Sequence, residues 1–70
     1  MKAPEFVRRV RKFGRKNGIP VRYDPRRGVG SHGKLYVGDR ATTIMDLRHE
    51  IGPKLLNKMC RQLGVDWKDI

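Results

Sequence analysis

The sequence predicts a single α+β domain in which two amphipathic helices accompany three short antiparallel strands. Apolar residues recur at helical spacing near both ends of the chain, and the residues between them alternate between apolar and polar. The chain has 70 residues, which is the length of one small domain. We therefore expect a single unit that spans residues 1–70.

The first element is predicted to be a helix with a basic face. Phe6, Val10 and Phe13 follow the i, i+4, i+7 spacing of a helix, Pro4 suits its first turn, and Gly18 suits its end. The cations on the other side include Arg8, Arg11, Lys12 and Arg15. We predict that these four contact nucleic-acid phosphates. A transit peptide or a membrane-surface helix has a similar pattern. Against both interpretations, a domain without this helix would lose Phe6, Val10 and Phe13, which are a large part of its small core.

Three short strands are predicted after this helix. The alternating apolar positions are Ile19, Val21 and Tyr23 in the first strand and Leu35 and Val37 in the second. A Gly-Asp turn at residues 38–39 is expected to fold residues 40–45 back as the third strand. This loop length places Leu35 opposite Thr42 and Lys34 opposite Thr43. The inner face of the hairpin is then formed by Leu35, Val37, Thr42 and Ile44.

The last third of the chain is predicted to be helical. The helix opens at Gly52-Pro53 and closes at Gly64, with proline inside its start and glycine past its end. Its apolar stripe is formed by Leu55, Leu56, Met59 and Leu63, with Cys60 at the margin as a buried, inert thiol. Asp66 is expected to cap a final turn that packs Trp67 and Ile70.

The predicted order of elements is α-β-β-β-α. Two helices on one face of a three-stranded antiparallel sheet is the simplest arrangement that buries all of these apolar stripes. Double-stranded-RNA-binding domains share this topology, and they bind RNA largely by shape and phosphate contact.

The charge of the chain restricts its partners. Seventeen Lys and Arg against seven Asp and Glu give a net charge of +10, of which residues 1–40 carry +9. This balance favours a polyanion over small neutral substrates: nucleic acid, an acidic membrane surface or an acidic protein. One cysteine and two histidines exclude an internal disulfide framework and a zinc finger. No apolar run is long enough to span a membrane and no signal peptide is visible, so we expect a cytoplasmic location.

The glycine-rich segment at residues 28–37 contains the candidate chemistry. Alternation places His32, Lys34 and Tyr36 on the strand face opposite the inner one. A histidine can remove the proton of a ribose 2′-hydroxyl, and a lysine can stabilise charge developing on the phosphate. Such a site needs no cofactor and no metal, and the chain lacks the acidic cluster that would hold Mg²⁺. Ser31, Lys34 and Tyr36 are predicted RNA contacts.

The same segment also fits interpretations without catalysis. An exposed histidine in a glycine-rich loop is usually only a loop residue. The glycines at positions 28, 30 and 33 either allow close approach of a ligand, or form a simple turn, or nest a phosphate.

The ordered set of motifs resembles the HicA toxin family. Gly30-Ser31-His32 is followed by a hairpin, a threonine-containing strand, His49, and a helix that ends in Cys-Arg-Gln-Leu-Gly-Val at residues 60–65. Members of that family carry Gly-Ser-His on the strand after a short helix. A Thr-rich strand, a downstream histidine and a closing helix that ends in Lys/Arg-Gln-Leu/Ala-Gly follow. The resemblance covers nearly the whole chain.

This resemblance implies a double-stranded-RNA-binding-like fold and ribosome-independent cleavage of messenger RNA. It also implies neutralisation by a HicB-like antitoxin made from an adjacent gene. It assigns the catalytic histidine to His32, and it matches His49 to a downstream histidine that we interpret as structural. Two segments differ from the family pattern: no proline precedes His49 in residues 45–48, and the loop at residues 24–29 is unlike the compact connection usual there.

Two functions from different classes remain open at this point. The first is an endoribonuclease toxin with His32 as general base or acid, and with Tyr36, Lys34 or water as the second group. The second is a non-catalytic RNA-binding module, for example a ribosome-associated protein. A helix-turn-helix DNA-binding protein fits less well, because the hairpin separates the two helices.

Overall fold

The computed structural model describes residues 1–26, 32–45, 48 and 50–70. The elements in chain order are α1 (Ala3–Asn17), β1 (Val21–Asp24), β2 (Gly33–Val37), β3 (Arg40–Ile44), α2 (Pro53–Leu63) and a short 3₁₀ helix (Trp67–Asp69). This order confirms the predicted α+β class and the predicted succession of helices and strands.

Helix α1 begins and ends where its sequence signals predict. Proline occupies its first turn, and Gly18 follows its last residue in the left-handed conformation with φ of 66°, donating its N–H to the Gly14 carbonyl. Phe6 and Val10 are fully buried. Gly14 is also buried, and a Cβ at this position would lie 2.4 Å from Cγ2 of Val21. Glycine therefore lets α1 lie directly against β1.

The three strands form an antiparallel sheet in the order β1-β2-β3. The register of the β2–β3 hairpin pairs Leu35 with Thr42 and Lys34 with Thr43, which confirms the prediction. The turn begins at Gly38, whose φ of 60° suits a glycine-first two-residue turn. Thr42 is buried, and its hydroxyl donates a hydrogen bond to Oε1 of Gln62.

Both helices pack on one face of the sheet. Helix α1 contacts β1 and β2, and α2 contacts β3. The predicted inner face is buried as expected: Leu35, Val37, Thr42 and Ile44. The opposite face carries the alternate residues of each strand and is open among the described residues, so the sheet has a covered side and an open side.

The C-terminal third differs from the prediction at two side chains. Leu55 is 38% exposed, because it lies about 100° from Leu56 on the helical wheel, at the edge of the buried stripe. The side chain of Asp66 caps the 3₁₀ helix by accepting from the Lys68 N–H, as predicted. Ile70 packs against the core, but Trp67 is 38% exposed and does not join it.

Candidate nucleic-acid interface

His32 lies one residue before β2, and its side chain is half-buried. The alternation predicted it within the strand, but the strand begins with Gly33, which pairs with Ile44. Its predicted neighbour Ser31 lies outside the described residues, as do the second histidine, His49, and the glycines at positions 28 and 30.

Gly33 allows the first residue of β2 to pack against an aromatic ring. A Cβ at Gly33 would lie 2.4 Å from the Tyr23 hydroxyl oxygen and 2.7 Å from the ring carbons Cε1 and Cζ. These distances are far below van der Waals contact, so only glycine leaves room for the ring. Tyr23 pairs with Leu35 on the covered side of the sheet. Because Gly33 has no side chain, the start of β2, which follows His32, can pack closely against β1.

The open face of the sheet carries Lys34 and Tyr36, as the alternation predicted. Both side chains are partly exposed, whereas Gly33, Leu35 and Val37 between them are buried. The pairing places Arg22 of β1 beside Tyr36. Its guanidinium carbon lies 4.7 Å from the centre of the Tyr36 ring, which is a cation–π contact.

The four α1 cations predicted to bind RNA are all exposed. Arg8 and Arg9 both form an ion pair with Glu5, from which they lie three and four residues along the chain, about one helical turn. Hydrogen bonds from the Arg9 and Arg8 guanidinium groups lower the pKa of the Glu5 carboxyl. Because Arg8 is paired in this way, part of its charge is already compensated within the helix.

The α1 cations divide between two flanks of the helix. Arg8 and Arg11 border a hollow beside Tyr23 of β1. Lys12 and Arg15 border a groove between α1 and the C-terminal turn, where Ile70 forms part of the wall. Arg8 also borders this groove, as do Arg9, Lys16, Phe13, Glu5 and Asp69. The groove is the more basic of the two depressions.

The predicted RNA-binding residues therefore do not form one surface. Helix α1 covers the buried face of the sheet, and its cations point away from that face. Lys34 and Tyr36 belong to the other face. The structure brings Lys34, Tyr36 and the start of β2 together, and it separates them from Lys12 and Arg15 by the thickness of the sheet and helix layers.

Arg22 and Arg40 were not singled out from the sequence, and the structure gives each a different role. Arg22 lies over the Tyr36 ring. Its polar position in the alternating pattern of β1 was the sequence signal that could have placed it on the open face. Arg40 is a structural cation: its Nε and Nη2 donate to the Gln62 and Arg61 carbonyls at 3.0 and 3.2 Å. These carbonyls end α2, where a positive charge stabilises the helix dipole. No local sequence signal links positions 40 and 62.

Cys60 is buried with 3% exposure. Burial, with a smaller contribution from the nearby Asp66 charge, raises the pKa of its thiol. The thiolate is the nucleophilic form, so this cysteine is suited to the core and not to catalysis, as predicted.

Neither metal-binding clusters nor membrane spans occur in the part of the chain that the structure describes. Across residues 1–26, 32–45, 48 and 50–70, no three His, Cys, Asp or Glu side chains come together in a way that could hold a metal ion. Neither of the two described α-helices combines the length and the apolar character needed to cross a bilayer. Comparison with protein-family models, curated proteins and solved structures finds no match for this chain.

Proposed function

We propose that this chain is the toxin of a toxin–antitoxin pair, an endoribonuclease that cleaves messenger RNA without a metal ion. The observation that carries the proposal is the position of His32, half-buried directly before β2, with Lys34 two residues further on the open face. The resemblance of the ordered motifs to the HicA family supports it. The order and packing of the elements also support a double-stranded-RNA-binding-like fold.

The proposed reaction is an attack within the RNA strand. The imidazole of His32 takes the proton of a ribose 2′-hydroxyl, and the 2′-oxygen forms a bond to the adjacent phosphorus. The bond to the 5′-oxygen breaks, and that oxygen leaves with a proton supplied by Tyr36, Lys34 or water. Lys34 stabilises the negative charge on the phosphate oxygens as the bonds exchange. The products are a 2′,3′-cyclic phosphate and a free 5′-hydroxyl.

A blocking partner belongs to the same proposal. A HicB-like antitoxin has to cover the surface that contains His32, where Lys34 and Arg22 lie on the open face of the sheet. Its contact surface is therefore acidic, because opposite potentials accelerate encounter and set the register. Both proteins and the messenger RNA substrate would meet in the cytoplasm.

A non-catalytic RNA-binding module remains the second candidate. The observation that favours it is the position of Lys12 and Arg15 on the side of the molecule away from Lys34 and Tyr36. Cations on that side can hold RNA phosphates without any contribution from His32.

One cleavage experiment separates the two functions. The purified chain is incubated in EDTA with end-labelled single-stranded RNA and with a 2′-O-methyl RNA of the same sequence. The toxin proposal predicts that only the unmodified RNA is cut, and that its new ends are a cyclic phosphate and a 5′-hydroxyl. Binding of both RNAs with no cleavage of either would establish the binding module and overturn the proposed enzyme.

A further inference from the structure

The open face of the sheet presents a flat, positively charged patch. The register aligns Arg22, Tyr36 and Ala41 in one row across the three strands, and Asp24, Lys34 and Thr43 in the next. The central aromatic ring has the small side chain of Ala41 on one side and the guanidinium of Arg22 on the other. Large side chains therefore do not rise above the ring on the β3 side.

The Arg22–Tyr36 pair is the distinctive feature of this patch. Arg22 is exposed, and its guanidinium carbon lies 4.7 Å from the centre of the half-buried Tyr36 ring. A planar guanidinium stacked on an aromatic ring is held in one orientation, and its outer side remains available for a second flat group. Nucleobases stack on such arginine planes as well as on aromatic side chains.

The charges on this face select an anionic partner. Among the described strand residues, this face carries two cations, Arg22 and Lys34, and one acid, Asp24, which lies opposite Lys34 and accepts a hydrogen bond from the Arg26 N–H at 2.9 Å, so its net charge stays positive. A flat stacking surface beside a lysine fits a nucleotide, whose base and phosphate are separate groups. An acidic peptide would satisfy the cations but would leave the stacking surface without a flat partner.

We propose that the open face binds RNA as a single strand, with one unpaired base stacked on the Arg22 guanidinium and a neighbouring phosphate at Lys34. Tyr36 is a positioning residue, because its ring stacks against the Arg22 guanidinium and holds it in place. This inference deepens the proposed function, on which it rests, since it assigns the strandedness of the substrate. A base can reach this surface only when it is splayed out, because the bases of a duplex are stacked and paired inside the helix.

The proposal gives His32 a defined relation to the bound strand. His32 precedes Lys34 by two residues, and two residues of extended chain span about 7 Å. A phosphate held at Lys34 therefore lies within one nucleotide of the histidine. The α1 cations, on the other side of the sheet, contribute general attraction and do not choose between paired and unpaired RNA.

Binding is measured with His32→Ala as the background, so that the RNA stays intact. The probes are a ten-nucleotide RNA without self-complementarity and the duplex that it forms with its complement. Arg22→Lys keeps the positive charge and removes the planar guanidinium group. It is expected to weaken single-strand binding about 5- to 150-fold, the range that corresponds to one lost stacking contact. Duplex binding should hardly change. Tyr36→Leu should reproduce this loss, whereas Tyr36→Phe, which keeps the ring, should bind as tightly as the background.

The matched control is Lys54→Gln, at an exposed position of α2 on the other side of the molecule. It is expected to affect both probes equally and slightly. Circular dichroism of each variant verifies that the sheet is retained. Equal losses for both probes in Arg22→Lys, or full single-strand affinity in Tyr36→Leu, would overturn the proposal.

Cleavage by the unmodified chain is measured separately, so that a failure of the proposed enzyme activity can be distinguished from a failure of the proposed stacking surface. Single-strand binding that depends on Arg22 in a chain that does not cleave RNA would contradict the enzyme and support the stacking surface. RNA cleavage that depends on His32, with single-strand binding unaffected by Arg22→Lys, would overturn the stacking surface and leave the enzyme standing.

Discussion

Gly33 and Tyr23 together hold the chain segment that follows His32. The ring of Tyr23 occupies the volume that any side chain at Gly33 would need, and Tyr23 in turn packs against the core. The contact joins two strands at the end of the sheet where the candidate catalytic residue lies. Positioning of His32 therefore depends on a residue with no side chain at all.

Gly33→Ala is expected to destabilise the fold by about 1–3 kcal/mol, because the added methyl group must displace the Tyr23 ring. For a domain of this size that corresponds to a decrease in melting temperature of at least about 4 °C. RNA cleavage should fall as well, since the segment before β2 shifts. Thermal melts and a cleavage assay measure the two effects.

A second substitution tests whether the clash is the cause. The Gly33→Ala, Tyr23→Leu double variant removes the ring, so it should lose less stability than the sum of the two single variants. Strict additivity, or a Gly33→Ala protein that melts like the unmodified chain, would contradict this packing role.

At the scale of the elements, α2 depends on a contact from the sheet. Arg40 of β3 donates to two of the last carbonyls of α2, and the Thr42 hydroxyl donates to the side chain of Gln62. Both contacts hold the end of the helix over β3, so the strand and the helix are stabilised as a pair.

Arg40→Met is expected to lower the free energy of unfolding by about 0.5–2 kcal/mol, because it removes two hydrogen bonds and a charge at the negative end of the helix dipole. Methionine retains much of the apolar stem, so the loss reports the guanidinium. Chemical denaturation measures the change. Arg26→Met, at an exposed position outside the strands, is the matched control, and an equal effect of both substitutions would refute the capping role.

The elements were predictable from the sequence because their signals are local. Proline and glycine mark the ends of both helices, and the length of the Gly-Asp turn predicted the register of the hairpin. The contacts that hold these elements together were not predictable, because they join positions that are distant in the sequence. Arg40 contacts the end of α2, and Tyr23 packs against Gly33. The separation of Lys34 from Lys12 was already implied by the predicted topology, which placed both helices on one face of the sheet and Lys34 on the other.

At the scale of the whole molecule, the described cations are divided between two sides, and the proposed function implies that RNA can be held on either side. The molecule is 17 Å thick along its shortest axis, so one RNA strand reaches both sides only by passing around an edge of the sheet. Interactions between exposed charges are screened over about 8 Å at physiological salt, which is shorter than this thickness. The two sides should therefore contribute independently to RNA binding.

The Lys12→Gln, Arg15→Gln double variant should weaken binding of single-stranded and duplex RNA to the same degree. It should also reduce the slope of log affinity against log salt by about one to two, because two phosphate contacts are lost. The measurement is RNA affinity at a series of salt concentrations. Lys54→Gln with Lys58→Gln removes the same charge from exposed positions of α2, and an identical slope change there would show that only total charge matters.

The most direct test of the central claim is RNA cleavage by His32→Ala in the presence of EDTA. His32 lies before β2 and outside the buried core, so alanine leaves no core cavity and the variant should keep the circular dichroism spectrum and the melting temperature of the unmodified chain. With the fold retained, we predict that cleavage of single-stranded RNA is lost and that binding persists. Cleavage at the full rate by a folded His32→Ala protein would contradict the assignment of His32 as the catalytic residue.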